Sequence, residues 1–417
     1  MFEVGKFHDL LNSIYFTIGD LQMNNTIKLA VAGAVLATAS VANAGIIIPA
    51  GEWTMDINGN VNIYAMYTDA DKANGNAVQG GLAVTRDGKN ESDSFTLGTG
   101  LLPAWLGFTG TTRQNDLDVS FTISFQPNTS DSDNGSGDGK TPLNRQAFLT
   151  FGDKSWGSVK MGKDLGIFAS DAILNDMTLL GVGADAGANG GATTYGGIGT
   201  GYIYPAWKGQ MAYTTPNMNG FQATVGITNN TQGLDASGVT FKQERFGLEG
   251  KAHYALPNGK IWVGGASYNV TDSTTVDYDV TMLEVGTNLS FGNAGLTAYY
   301  YSGEGAGNTL NLLDREGATT AGKERDQDGG YVQATYVIPA GTKLGVAYGV
   351  SRVDLASGET VGNTDALDKN DRWTVGAYHP LTKHLNLVAE YNAIESKDHQ
   401  GDSQESSNIS LGAILFF

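Results

Sequence analysis

Polarity alternates residue by residue along this chain, and no apolar run after Gly45 is long enough to form a membrane helix. Trp53, Met55, Ile57, Val61, Ile63 and Ala65 interleave with Thr54, Asp56, Asn58, Asn60, Asn62 and Tyr64. Leu117, Val119, Phe121, Ile123 and Phe125 interleave with Asp118, Ser120, Thr122, Ser124 and Gln126. Leu344, Val346, Tyr348 and Val350 form one such face, and Leu385, Leu387, Ala389 and Tyr391 another. The chain ends the same way, with Ile409, Leu411, Ala413, Leu415 and Phe417 opposite Asn408, Ser410 and Gly412. A period of two is that of a strand with one apolar and one polar face.

A soluble sandwich alternates too, so the connections decide. Seven are tight and rich in Pro, Asn and Gly: 111–116, 153–156, 216–220, 256–259, 292–295, 339–342 and 380–383. Such residues supply turn geometry. Eight are long and polar: 69–92, 127–143, 164–207, 229–240, 271–276, 303–328, 354–369 and 393–404. Tight and long connections alternate strictly, which gives sixteen strands with every long loop at one end. An even strand count with one-sided loops is a property of outer-membrane barrels. Phe108, Phe221, Tyr254, Trp262, Phe291, Tyr336, Tyr378 and Phe417 all fall beside the tight turns, as a ring of aromatics at a membrane interface would.

The expected fold is therefore all-β: a sixteen-stranded antiparallel transmembrane barrel over 45–417. It has short periplasmic turns and long extracellular loops. Closure removes every bare backbone edge, the condition for crossing lipid with strands. A barrel this wide holds water, so Asp56, Asp118, Glu249, Lys251 and Glu390 in mid-strand are read as solvated lumen charges.

The N-terminus carries a separate instruction. Met23 to Lys28 is short and basic, Leu29 to Val41 is apolar, and Ala42-Asn43-Ala44 is a small-residue cleavage site. This reads as a secretory signal peptide over 23–44, cleaved after Ala44 and delivering the chain to the outer membrane. Residues 1–22 read as an extension from a start assigned too early.

Composition excludes several classes. The formal charge of −18 argues against a nucleic-acid partner. With no cysteine there is neither a disulfide framework nor a thiolate metal site. His8, His253, His379, His384 and His399 lack metal-ligand spacing, and no nucleophile elbow or P-loop occurs. Asp131 to Asp138 lacks the glycine and glutamate of a calcium loop and reads as a solvated outer loop. No cofactor or metal is implied.

The stretch Ala212-Tyr213-Thr214-Thr215-Pro216-Asn217-Met218-Asn219-Gly220-Phe221 resembles the turn after the third loop of the general-diffusion porins of proteobacteria. Arg145-Gln146-Ala147-Phe148, and Gly157-Ser158-Val159-Lys160-Met161-Gly162-Lys163, are similar to strands of that family. The resemblance implies a homotrimer with one pore per subunit, in contact with outer-membrane lipid and lipopolysaccharide. Phe417 would be the signal read by the barrel assembly machinery.

It also implies that the third loop, Asp164 to about Trp207, folds inward and narrows the lumen. Leu165 to Leu174 would form a short helix. Asp164, Asp171, Asp176 and Asp185 are the acidic constriction candidates. Arg145, Lys160, Lys163, Arg352 and Arg372 are the basic wall candidates, although Lys160 and Lys163 have opposite parity and cannot both face the lumen of a regular strand. Asp56, Asp118, Glu249 and Glu390 complete the lumen set. Opposed charge across a wet constriction would sort solutes by charge.

The function implied is passive diffusion of small hydrophilic solutes and ions. A substrate-specific sugar or phosphate channel is the alternative, although no aromatic slide or arginine ladder is evident. An outer-membrane enzyme such as a phospholipase would need a serine–histidine pair on the outer wall, and none can be placed. An adhesin or purely structural barrel is a further class.

Overall fold

The structure is a computed structural model, and it describes residues 45–75, 78–83, 92–127, 143–185, 193–229, 243–271, 277–307, 317–319, 321–361 and 366–417. The expected signal segment, the 1–22 extension and the 131–138 loop lie outside these residues.

Eighteen antiparallel segments close into one sheet. They run β1 (Ile46–Ala50), β2 (Trp53–Ala70), β3 (Ser92–Gly98), β4 (Trp105–Gln114), β5 (Leu117–Gln126), β6 (Leu143–Asp153), β7 (Gly157–Leu165), β8 (Trp207–Thr214) and β9 (Phe221–Thr228). They continue through β10 (Gly247–Leu256), β11 (Gly259–Thr271), β12 (Asp277–Phe291), β13 (Ala294–Glu304), β14 (Asp326–Val337), β15 (Lys343–Val353), β16 (Leu367–Pro380), β17 (Leu385–Asp398) and β18 (Ser403–Phe416).

The segments make sixteen barrel strands because two pairs are halves of one strand. β3 and β4 lie along the same edge of β2, at 64–70 and 54–60. β1 and β18 share its other edge, at 53–57 and 60–70. Phe417 and Gly59 exchange backbone hydrogen bonds at 2.8 and 3.0 Å where those last two halves meet. The β18–β2 pairing closes the barrel, as the alternation at Ile409 to Phe417 requires.

Parity is as expected in mid-strand. Ile409, Leu411, Val61 and Ile63 are exposed on the outside, while Asn408, Ser410, Asn60 and Asn62 are buried inside. Among the described residues no helix is long and apolar enough to cross a membrane. All seven tight turns lie where the sequence puts them. At the first, Asn115 and Asp116 both have positive φ (48° and 63°), the two-residue hairpin geometry that Asn and Asp tolerate.

Three expectations are corrected. The loop at 393–404 is mostly strand, and only 399–402 connects β17 to β18. Sequence polarity misled there because a strand projecting beyond the lipid can be polar on both faces. Trp262 and Tyr378 do not join the interfacial ring. They sit on inward positions, 1% and 2% exposed, while Phe221, Tyr254, Phe291 and Tyr336 face outward.

The third correction is the break in the second barrel strand. Between β3 and β4, residues 99–104 leave the sheet and turn inward. Asn62 accepts the Gly100 amide (3.0 Å) and donates to the Leu102 carbonyl (2.9 Å), and Asn60 donates to the Pro103 carbonyl (2.9 Å). A Cβ on Gly100 would stand 2.0 Å from the Gly181 carbonyl oxygen, so only glycine admits this approach.

Candidate functional site

The third loop, here L3 (166–206), enters the barrel from β7 and returns to β8. It carries α1 (Ser170–Asn175) and one turn of 3-10 helix (Met177–Leu180). The helix begins five residues later than the sequence suggests, because Ala169 adopts a left-handed conformation (φ 60°) just before it.

Wall side chains fix L3 mainly through its backbone. Glu249 on β10 accepts the amides of Ile167 (2.6 Å) and Phe168 (2.9 Å). Glu284 on β12 accepts that of Ala169 (3.0 Å). Glu390 on β17 accepts those of Val182 (2.9 Å) and Gly183 (2.8 Å). Gln333 on β14 accepts the Met177 amide (2.6 Å), and Ser351 on β15 that of Gly201 (3.0 Å). Tyr331 donates to the Ala172 carbonyl (2.8 Å) and Tyr64 to that of Leu180 (2.6 Å). A backbone donor buried without a partner is costly, so these acceptors define where the loop can lie.

Glu249 and Glu390 are therefore not the solvated lumen charges that the sequence suggests. Both face inward, but L3 covers them, and they are 1% and 4% exposed. Glu249 also binds Lys208 (2.8 Å) and the Tyr268 hydroxyl (2.8 Å), and Glu390 binds that of Tyr378 (2.7 Å). Asp56 and Asp118 keep inward positions near the turn end. Asp118 pairs with Arg113 at 2.8 Å.

The four aspartates of the expected constriction are equally engaged, none more than 7% exposed. Asp164 binds Lys160 and accepts from Gln146 (2.9 Å). Asp171 lies between Lys251 (2.8 Å) and Lys260 (2.5 Å). Burial alone would raise its carboxyl, but the two ammonium groups outweigh burial and hold it well below the usual carboxylate range. Asp176 caps the 3-10 turn at the Thr178 amide (2.9 Å) and accepts from Tyr202 (2.9 Å). Asp185 accepts from Thr68 (2.7 Å). A bare acidic rim facing a basic wall is not what L3 presents.

The basic candidates divide. Lys160 points inward beside Phe148, its nitrogen 4.9 Å from the ring centroid. Lys163 has the opposite parity and donates to the Asn144 carbonyl (2.8 Å). Arg352 lies on the outward row of Leu344, Val346 and Tyr348 and pairs with Asp328 (3.5 Å), so it is not a wall residue. Arg372 is inward but 3% exposed, bonded to Thr200 (3.2 Å) and 3.7 Å from Asp176. It holds L3.

Arg145 is the extra residue of a bulge. Ser124 pairs with Gln146 and Phe125 with Asn144, leaving Arg145 unopposed on β6. A bulge re-aims a side chain. The guanidinium carbon lies 4.6 Å from the Trp105 ring centroid and 4.1 Å from that of Trp207.

Sequence reasoning missed Glu284, Lys208 and the aromatic series Trp262, Tyr299, Tyr331 and Tyr202. These rings touch in sequence, stacked, then tilted, then edge-on, with centroids 5.8–6.4 Å apart, and they join three wall residues to Tyr202 of L3. They are 0–6% exposed, a buried seam between loop and wall and not a surface for solutes. Glu284 was findable, since it sits between Leu283 and Val285 in an alternating strand.

The anchors of L3 span β10 to β17 and reach β2. Across the lumen, Thr122, Gln146, Phe148 and Lys160 on β5 to β7 remain partly exposed. Among the described residues no group of His, Cys, Asp or Glu could hold a metal ion.

A family profile described as Gram-negative porin matches residues 30–399. No curated protein matches the chain. Solved structures do. The outer membrane channel DcaP of Acinetobacter baumannii superposes with a TM-score of 0.65 at 17% identity, over 88% of this chain and 99% of that one. The anion-selective porin from Comamonas acidovorans gives 0.62 at 16% identity, over 88% and 100%. The trimer form of OmpT from Vibrio cholerae gives 0.54 at 17%, over 88% and 99%. At these identities the likeness is one of fold.

Proposed function

The chain belongs to the Gram-negative porin family, and we propose that it works as a homotrimeric pore whose passage runs between L3 and the β5–β7 wall. It is an outer-membrane β-barrel channel for passive diffusion. The observation that carries the finer reading is the asymmetry of the lumen. L3 is fastened from β10 round to β2, and on the opposite wall Thr122, Gln146, Phe148 and Lys160 are partly exposed. Hydroxyl, amide and ammonium groups there suit hydrated solutes.

The porin fold supports the remaining steps of the proposal. Residues 23–44 are removed after Ala44 on export. The assembly machinery reads Phe417, and the outer loops meet lipopolysaccharide. The homotrimer reading draws on the OmpT structure, which is described as a trimer form.

Planar-bilayer recording of the purified chain tests this reading. Conductance that rises in proportion to salt, in steps of three, supports it. Conductance that saturates with one solute would favour a substrate-specific channel instead. One observation points that way: residues 78–83 of the first loop also fold inward, with Leu82 and Ala83 donating their amides to Asn370 (3.1 Å) and Ser396 (3.0 Å).

A further inference from the structure

The inward cations fall into two groups. Lys160, Lys208, Lys251, Lys260 and Arg372 each have a carboxylate within 4.0 Å. Among the described residues Arg145 and Lys343 have none, and Lys343 lies beside the turn end of β15 with its nitrogen 4.8 Å from the Tyr378 ring centroid. Asp164, on the neighbouring strand, is already bonded to Lys160 and Gln146. Among the described residues the Arg145 side chain donates to the neutral Gln146 amide oxygen, at 3.3 Å. Its Nε is buried with no acceptor. Its cation lies instead between the rings of Trp105 on β4 and Trp207 at the start of β8.

The distinction matters for a permeating ion. A paired cation presents a dipole whose field falls off quickly, whereas an unpaired one presents a full charge. An aromatic face stabilises a cation by its quadrupole and adds no charge of its own. Trp105 itself is held by Asn58 (3.4 Å) and packs edge-on against Phe416, with ring centroids 6.3 Å apart. The bulge, the two indoles and the occupied Asp164 together keep Arg145, itself only 8% exposed, fixed without a carboxylate partner next to the partly exposed Gln146 and Phe148.

We propose that Trp105 and Trp207 are positioning residues for selectivity: they hold Arg145 without a counter-ion at the passage, and the channel therefore favours small anions over cations. The proposal rests on the diffusion-channel reading. It predicts anion preference in spite of a chain charge of −18, because the four L3 aspartates and Glu249, Glu284 and Glu390 are buried and bonded.

The test is the reversal potential of the full-length, purified chain in planar bilayers under a potassium chloride gradient. Heat-dependent gel mobility checks that each variant has folded. The wild type is expected to favour chloride. Arg145→Gln should lower the chloride-to-potassium permeability ratio by a factor of about two to five, as expected for removing one unit charge in a water-like medium. Trp105→Leu and Trp207→Leu keep the arginine but free it to swing toward Asp164, and each should lower the ratio in the same direction. Arg145→Lys, which keeps the charge and loses the planar fit, should fall between.

A cation-selective wild type overturns the proposal, as does an unchanged ratio in Arg145→Gln. Tryptophan variants that alter conductance but not the ratio would reduce the indoles to packing and overturn it too. Absence of any conductance in the wild type would instead remove the channel reading on which the proposal stands.

Discussion

Glu390 shows how one side chain can serve a different purpose from the one its position suggests. It faces inward at mid-strand, yet it spends its charge on two backbone amides of L3. Glu390→Gln keeps the shape and removes the charge, weakening the L3 contact by on the order of 2 kcal/mol, the range for hydrogen bonds to charged groups. The expected result is a folded channel with noisier open-state current, and single-channel traces as quiet as wild type would contradict it. Asp171 makes a second prediction at this scale. Its folded carboxyl lies below its unfolded value, so its contribution is complete above about pH 4 and fades only as pH falls through the lower folded value. The L3 clasp at Lys251 and Lys260 should therefore survive acidification that protonates ordinary carboxylates. Conductance measured from pH 7 down to 4 should show no step that Asp171→Asn abolishes.

β18 shows how neighbouring residues in one strand face different solvents. Leu411 meets lipid, and Leu411→Arg should destabilise the barrel by about 2–4 kcal/mol if it lies near the bilayer midplane. Ser410, one residue away, faces inward with its hydroxyl unbonded. Ser410→Ala leaves no unmet hydrogen bond behind and should be close to neutral. Urea-driven unfolding from lipid vesicles reads both, and equal losses would contradict the parity. Strands, turns and facing were legible in the sequence because each is a local pattern of two to ten residues. The inward turn at 99–104 was less visible, although Gly98, Gly100 and Pro103 mark it, because its partners are Asn60, Asn62 and Gly181. The role of the acidic residues was not legible at all. Sequence gives a carboxylate its side of the strand, but whether it meets water or a loop amide depends on where a segment more than eighty residues away comes to lie.

At the scale of the whole molecule, charge is segregated by accessibility more than by count. Chain acidity alone suggests a cation channel, whereas the carboxylates nearest the passage are already satisfied. L3, the inward turn at 99–104 and the first loop also meet one another. Leu101 donates its amide to the Gly181 carbonyl (2.9 Å), and Leu82, Ala83, Ala184 and Ile394 pack together with Tyr195. The lumen is thus narrowed by a braced assembly of three segments, which gives L3 little freedom to swing independently.

The shared edge of β2 bears on how such a molecule comes into being. One barrel strand is assembled from β1 and β18, contributed from opposite ends of the described chain, which meet beside Gly59. Pairing β18 with β2 joins partners separated by nearly the whole sequence, and contacts that distant are slow to form. Every hairpin and L3 itself can be in place while two raw edges still stand open to any other strand nearby. The barrel's most hazardous moment is therefore its last, and a chaperone that shields β2 until β18 arrives would meet the need this topology creates.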